Sequence, residues 1–292
     1  MNIRVFIRDH IVNSKIKPVA YVGGKAKNVY VWFLGTRLAE VMLYKPNLSD
    51  RDYIIQLYQK RFGHKPDLDN PKTFNEKNNW RKLNDRRDIY TQMVDKYGIK
   101  AVVADRVGEK YAFPLLGVWD SPDEIDFSKL PDQFVLKVNH AGGVIVCRDK
   151  STFDKNKAIA ELNHGLKVDY FIKSREWPYK NVPRRIIAEK FISDDGHVPA
   201  DYKIYCFNGE PYKIMICLDR DKAEATKFYS FDFKWNLLRH NGWGKKAPDN
   251  FTLPKPANLD KMYEFSKLLS KDIPFVRVDF YEVSGQLYFG EL

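Results

Sequence analysis

Cysteine is scarce in this chain of 292 residues: Cys147, Cys206 and Cys217 stand far apart, and no Cys-x-x-Cys occurs. That excludes a disulfide framework and a cysteine-based zinc site, and each thiol reads as a small buried apolar group in a reducing compartment. Histidine is also rare, and no second histidine stands at ligand spacing from His140, so a loop hydrogen-bonding role is expected of it rather than metal ligation. Long apolar runs are missing. No stretch approaches the ~18 apolar residues that a membrane span needs, and Arg4, Arg8 and Asp9 interrupt the segment where a signal peptide would lie. A cytoplasmic location is the expectation. No internal repeat, Walker loop or Rossmann fingerprint is present. Nor is there a Lys/Arg run interleaved with aromatics, so nucleic acid is not an expected partner. Acidic residues are in deficit: Lys and Arg number 49 against 38 Asp and Glu, a net charge of +11. The field of such a protein favours anions such as nucleotides, acidic polysaccharide or an acidic membrane surface.

The length and ordinary hydrophobic content suit two domains or one large unit with subdomains and a full core. Residues 1 to about 50 are the least legible. Lysines surround Gly23-Gly24, and the apolar run from Val29 to Tyr44 suits a helix docked on the main body or lying on a membrane face. Helical spacing recurs over Asp52–Phe62, Phe74–Leu83 and Asp88–Val107, the last interrupted at Gly98, with Pro66 and Pro71 breaking the chain between the first two. Tyr111–Val118, with Pro114, leads through a turn at Asp120-Ser121-Pro122 to a short acidic helix start, and the pattern then turns to β: Phe134–Val138, Arg185–Ile192, a hairpin over Asp201–Asp219 folded at Asn208-Gly209, and strand and turn over Phe228–Leu238. Helices are expected at Asp154–Ile172 and Asn258–Leu269, and a loop over Asn241–Pro256.

The final hairpin, Phe275 to Glu291, carries charges for which a purely structural hairpin has little use. Arg277 and Asp279 share one strand face, while Val276, Val278 and Phe280 take the other. An odd loop length would set Asp279 directly across from Glu291, where two carboxylates ~5 Å apart at Cβ call for a cation. A hard divalent ion, Mg²⁺ or Mn²⁺, is the natural occupant. A two-residue loop at Ser284-Gly285 would instead put the two acids on opposite faces. Upstream, Lys137 lies inside an apolar strand, where an ammonium needs an anion. The following loop, Asn139-His140-Ala141-Gly142-Gly143, can bring backbone N–H groups close to phosphate oxygens. Gly142-Gly143 alone also suits a tight turn; Lys137 beside it makes phosphate the better reading. Glu189 closes a buried strand and needs a donor, either Arg185 or the amine of a nucleobase. Lys203 shares a face with Asp201 and Tyr205, as a solvated edge lysine or a second phosphate contact.

Set in order, Lys137 before a Gly-bearing loop, Glu189, Lys203, Arg277-Val278-Asp279 and Glu291 resemble the layout of the ATP-grasp superfamily. More narrowly, the phrases Asn70-Pro71-Lys72-Thr73-Phe74-Asn75-Glu76-Lys77, Leu130 to Lys137, Asn139-His140, Asp201-Tyr202-Lys203 with Phe207-Asn208-Gly209, and Pro274 to Asp279 are similar to the TupA-like ATP-grasp family of bacterial surface-polysaccharide clusters. The resemblance runs from about residue 55 onward. It implies an α+β ATP-grasp fold, with two α+β subdomains around a nucleotide cleft after a helical N-terminal segment. The expected division is 1–87 for that segment and 88–292 for the ATP-grasp domain, itself split into 88–185 and 186–292. In that scheme ATP phosphates meet Lys137 and Lys203 under the loop of Asn139, His140, Gly142 and Gly143. Glu189 and the backbone near Phe191 meet adenine, Asp279 and Glu291 carry Mg²⁺, and the catalytic pair is Arg277, on the transferring phosphoryl group or the substrate carboxylate, and Lys203. The implied activity is a carboxylate–amine ligase acting through an acyl phosphate. Its acceptor is a uronic acid or peptide of a surface glycan, its donor an amino acid or other amine, with peripheral contact to membrane-bound glycan machinery. A kinase of the same fold and a non-catalytic polyanion-binding module are the alternatives.

Overall fold

The computed structural model describes residues 48–194, 196–220 and 226–292. The helix expected around Val29 to Tyr44 and the Gly23-Gly24 segment lie outside them. Residues 49–292 form one unit, and no helix among the described residues is long and apolar enough to cross a membrane.

Four helices lead the unit. Helix α1 (Asp50–Phe62) starts at Ser49, whose hydroxyl accepts from Asp52 N, and stops at Gly63, where φ is 79°. Helix α2 (Phe74–Asn84) opens on a capping box in which Thr73 and Glu76 satisfy each other's backbone. The Glu76 carboxylate accepts from the backbone N–H groups of Asp67, Lys72 and Thr73. Those bonds, that of Thr73 foremost, pull its pKa down to about 2. The helix expected over Asp88–Val107 with an interruption at Gly98 is two, α3 (Ile89–Val94) and α4 (Ile99–Arg106), and Gly98 stands just before the second. The Asp95 carboxylate makes the break, accepting from Tyr97 N at 2.8 Å and from the Asn139 amide at 2.8 Å.

The first sheet contains β1 (Leu115–Trp119), β2 (Phe134–Val138), β3 (Ile145–Cys147) and β4 (Ile186–Lys190), in the order β1-β4-β2-β3, with every neighbouring pair antiparallel. Strand β4, which the sequence reading sets at the head of the second subdomain, is therefore a central strand of the first sheet. Phe134, Leu136 and Val138 turn inward from β2 and pack with Ile186, Ala188 and Leu162 in a core of their own. Leu162 belongs to α5 (Lys155–Lys167), and the next helix is α6 (Tyr170–Ser174). A single helix was expected over Asp154–Ile172. Asp169 ends that continuity by capping Ile172 N afresh.

The second sheet has six strands in the order β10-β9-β5-β6-β7-β8, again antiparallel. They are β5 (Asp201–Phe207), β6 (Glu210–Leu218), β7 (Lys227–Phe231), β8 (Leu237–Leu238), β9 (Phe275–Val283) and β10 (Gln286–Glu291). The β5–β6 hairpin folds at Asn208-Gly209 with φ of 50° and 81°, as expected for a tight turn of this composition. Helix α7 (Leu259–Ser270) contributes Met262 and Leu269 to the core beneath, with Ile204, Ile214, Val278 and Phe280. Cys147, Cys206 and Cys217 are free and buried.

Candidate functional site

On the first sheet, Lys137 and Glu189 share a face, because Lys137 pairs with Ile187 and Glu189 with Val135. Glu189 is 4% exposed, and it binds two ammonium groups: Lys137 Nζ at 2.5 Å and Lys100 Nζ at 2.6 Å. Burial disfavours charge on this carboxylate, and the two lysines outweigh it, holding the pKa below the usual range. Lys100 also donates to Phe113 O at 2.9 Å. Lys96, just before α4, donates to Ala141 O at 2.8 Å and so ties the Gly142-Gly143 loop to the helical layer. Burial lowers the pKa of Lys96 and Lys100 alike. Sequence reading singled out neither lysine. The available signal was their spacing, four residues apart beside the apolar Val102-Val103 pair, which puts both near one face.

The loop after β2 divides its work differently from expectation. The Asn139 amide donates to Asp95 and Pro183 O, and its oxygen accepts from Arg185 N. His140 is 2% exposed, with Nε2 3.1 Å from Val168 O, and burial pushes its pKa down. Both side chains are thus spent inside the fold, because a buried polar group must be bonded there. Gly142 and Gly143 are the exposed part, with nothing within 4 Å of a Cβ at either and φ of 105° at Gly143. Phe191, just past β4, stands 5.1 Å beneath the Arg148 guanidinium.

On the second sheet, Asp201, Lys203 and Tyr205 of β5 lie across from Tyr281, Asp279 and Arg277 of β9. Asp279 is 1% exposed and accepts from Arg277 Nε and Nη2, each at 2.6 Å, and from Lys203. Lys203 also meets Asp201 at 2.7 Å, and Arg220 meets Asp201 at 2.9 Å. Burial pushes the Asp279 carboxyl up to about 6, against the pull of Arg277 and Lys203. Burial works against both cations too, yet Asp279 keeps their pKa values above the usual range.

The question of register at the last hairpin resolves in an unexpected way. The turn is the two-residue Ser284-Gly285, with φ of 49° and 76°, and Val283 pairs with Gln286. Continued evenly, that register would set Gly290 across from Asp279. A shift between Phe289 and Glu291 instead makes Glu291 the partner of Asp279. Gly290 permits it: a Cβ there would lie 2.9 Å from Tyr281 Cε2 and 3.2 Å from Asp279 O. The positive charge facing both acids is Arg277, whose Nη2 also reaches Glu291 Oε1 at 3.1 Å.

The two clusters are neighbours. Phe113 lies 6.0 Å from Lys137 Nζ and 5.5 Å from the rings of Tyr281 and Tyr288, and Tyr281 accepts from Arg220. Lys96 feels the charges of both Glu189 and Glu291. Among the described residues no group of three or more His, Cys, Asp or Glu side chains gathers for a metal ion. Asp279 and Glu291 are nonetheless an all-oxygen pair, the donor set of a hard divalent ion that takes one or two carboxylates and completes its shell from phosphate and water.

A family model described as TupA-like ATPgrasp matches residues 76–292. Among solved structures the chain is similar to a D-alanine–D-alanine ligase from Bacillus anthracis complexed with ATP, at 18% identity over 68% of this chain and 54% of that one, with a TM-score of 0.40. An L-amino acid ligase from Bacillus licheniformis matches at 14% identity over 68% and 42%, TM-score 0.41. A RimK domain ATP-grasp protein from Sphaerobacter thermophilus matches at 10% over 69% and 59%, TM-score 0.40. The chain spans about half the length of the solved structures it matches. No curated protein matches the sequence.

Proposed function

Because the chain belongs to the TupA-like ATP-grasp family, we propose that it is an ATP- and Mg²⁺-dependent ligase joining a carboxylate to an amine. The observation that carries this reading is the approach of two ion clusters, Lys100–Lys137–Glu189 and Lys203–Asp279–Arg277, linked by Phe113 and Lys96. Transfer of a phosphoryl group to a carboxylate brings anions together, and the barrier falls when positive charge is fixed around them. In this reading Lys100, Lys137 and Lys203, now paired with carboxylates, share their protons with phosphate oxygens. The exposed Gly142-Gly143 backbone covers the phosphates while Asn139 and His140 brace the loop from within. Glu189 and the backbone near Phe191 face the adenine.

Asp279 and Glu291 would hold Mg²⁺ or Mn²⁺, which supplies charge neutralisation at the phosphates. Arg277, 35% exposed at its side chain, has the reach to turn from Asp279 toward the carboxylate substrate. An oxygen of that carboxylate attacks the γ-phosphorus and ADP leaves. The amine then attacks the acyl carbon of the mixed anhydride, phosphate departs, and the nitrogen loses a proton. The basic charge of the chain suits a polyanionic acceptor, a uronic acid or peptide of a bacterial surface polysaccharide, with an amino acid as donor. A cytoplasmic location beside membrane-bound glycan machinery completes the proposal.

The test incubates the protein with ATP, Mg²⁺, uronic acids and amino acids, and follows ADP release and product mass. The expected product is acceptor plus amine less one water, with ADP formed in equal amount. A stable phosphorylated acceptor would make the protein a kinase, and failure to bind nucleotide would remove the enzymatic reading.

A further inference from the structure

The face of the second sheet that carries the second ion cluster continues past it. Tyr205 pairs with Arg277 across β5 and β9, and two residues further along the same strands Phe207 pairs with Phe275. Both rings therefore fall on the face of Lys203 and Arg277. The core of this sheet lies on the other face, around Ile204 and Val278, and does not use them. Phe74, the first residue of α2, lies 4.9 Å from the Phe275 ring and 6.0 Å from that of Phe207, and Tyr212 of β6 meets Phe207 at 5.9 Å. Three segments far apart in sequence thus bring four rings together, yet Phe74 stays 46% exposed, Phe207 37% and Tyr212 60%. A contiguous aromatic surface left in water marks a contact with something else.

The rim of this surface is basic. Lys72 stands two residues before Phe74, Lys77 one turn after it, and the Cα of Lys271 would lie 3.8 Å from a Cβ on Gly209 in the β5–β6 turn. All three lysines are exposed and have no ion-pair partner among the described residues. Of the neighbouring acids, Glu76 is buried in its capping box and Glu210 faces Lys267 at 3.6 Å, which leaves Asp272 against three ammonium groups. A second copy of this chain, related by a twofold axis, would set those lysines against their own counterparts. The charge calls for an anion instead. Backbone hydrogen-bonding groups are spent: Thr73 and Glu76 close the cap of α2, Phe275 O accepts from Arg81 at 2.8 Å, and Pro274 O accepts from Asn208 N at 3.0 Å. A protein interface carries about one hydrogen bond per 100–200 Å², whereas a bilayer surface asks for none. There, aromatic rings settle at the level of the headgroups and ammonium groups meet lipid phosphates.

We propose that this aromatic face docks the protein on the surface of an anionic lipid bilayer, with Phe74, Phe207, Tyr212 and Phe275 at the headgroup level and Lys72, Lys77 and Lys271 on lipid phosphates. Apolar area bordered by basic side chains is the make-up of an interfacial anchor. Phe275 and Arg277 stand two apart on one strand face, so docking brings the second ion cluster to the membrane surface. None of this depends on the ligase reading of that cluster.

The test is flotation of the full chain with vesicles of phosphatidylcholine alone and of phosphatidylcholine mixed with phosphatidylglycerol. Binding is expected on the anionic vesicles, is weak on the neutral ones, and falls as salt screens the lysines. Phe74→Ala and Tyr212→Ala each weaken it by about tenfold, the scale of one ring withdrawn from an apolar contact. Lys72→Glu and Lys271→Glu each weaken it by about fivefold, with the circular dichroism spectrum of the parent retained. The proposal is overturned by absence of vesicle binding, by equal binding to neutral and anionic vesicles, or by binding indifferent to these variants, which would assign it to another part of the chain. A dimer in sedimentation velocity that Phe74→Ala dissolves would make the face an interface between copies. Polyglutamate held as tightly as the vesicles would make it a site for an acidic protein, and either result also overturns the proposal.

Discussion

Glu189 receives an ammonium on each of its oxygens, and the three charges stay out of water only because they hold one another. Removing the anion leaves two lysines buried without a counter-ion, a larger loss than the pair's own net stabilisation. Glu189→Gln should therefore lower unfolding stability by about 3 kcal/mol, measured by denaturant titration. Adding Lys100→Met to that variant should recover part of the loss, since one unpaired ammonium disappears. A double variant as unstable as the single one would show that Lys100 does not depend on Glu189. The same reasoning separates Asn139 from its neighbours. Its type in a loop beside Lys137 suggests a ligand contact, but a fully buried amide with four backbone or side-chain partners has nothing left to offer.

At the level of the element, the last hairpin sets the pairing of its two acids through a one-residue irregularity. Alternation along β9 puts Arg277 and Asp279 on one face, and the two-residue turn by itself would send Glu291 to the other. The shift at Gly290 reverses that, and it depends on the space that a missing Cβ leaves against Tyr281 and the Asp279 carbonyl. Gly290→Ala should cost about 1–3 kcal/mol by overpacking and weaken Mg²⁺-dependent nucleotide binding by moving Glu291 off its partner. Thermal unfolding and nucleotide titration with and without Mg²⁺ check this, and an alanine tolerated in both would mean the register does not rest on Gly290. Tyr281 has little freedom to yield, because its hydroxyl holds Arg220 and its ring meets Phe113.

For the molecule as a whole, the two sheets keep separate cores, one around Phe134, Leu136 and Ile186, the other around Ile204, Val278 and Phe280. A ligand gripped by lysines of both sheets should bind them into one cooperative unit. ATP with Mg²⁺, at a hundredfold excess over its dissociation constant, is expected to add about 2.7 kcal/mol of stability. Hydrogen exchange should slow in β2 and β4 as well as in β5 and β9. Protection confined to one sheet would show that the nucleotide does not span them.

Local rules written in the chain determined most of the elements. Thr73 and Glu76 announce α2, Asn208-Gly209 and Ser284-Gly285 announce turns, and apolar alternation marks β2, β5 and β9, because capping, turn geometry and strand period act over a few residues. The charged positions of the two ion clusters, Lys137, Glu189, Lys203, Arg277 and Asp279, stand out for a similar reason: a charge inside an apolar strand is conspicuous. Tertiary structure alone decided their partners. That β4 enters the first sheet between β1 and β2, that Lys100 from a helix reaches Glu189, and that Glu291 regains Asp279 through a bulge are outcomes of packing among segments far apart in sequence. No residue carries the address of a partner that only three-dimensional closure brings near.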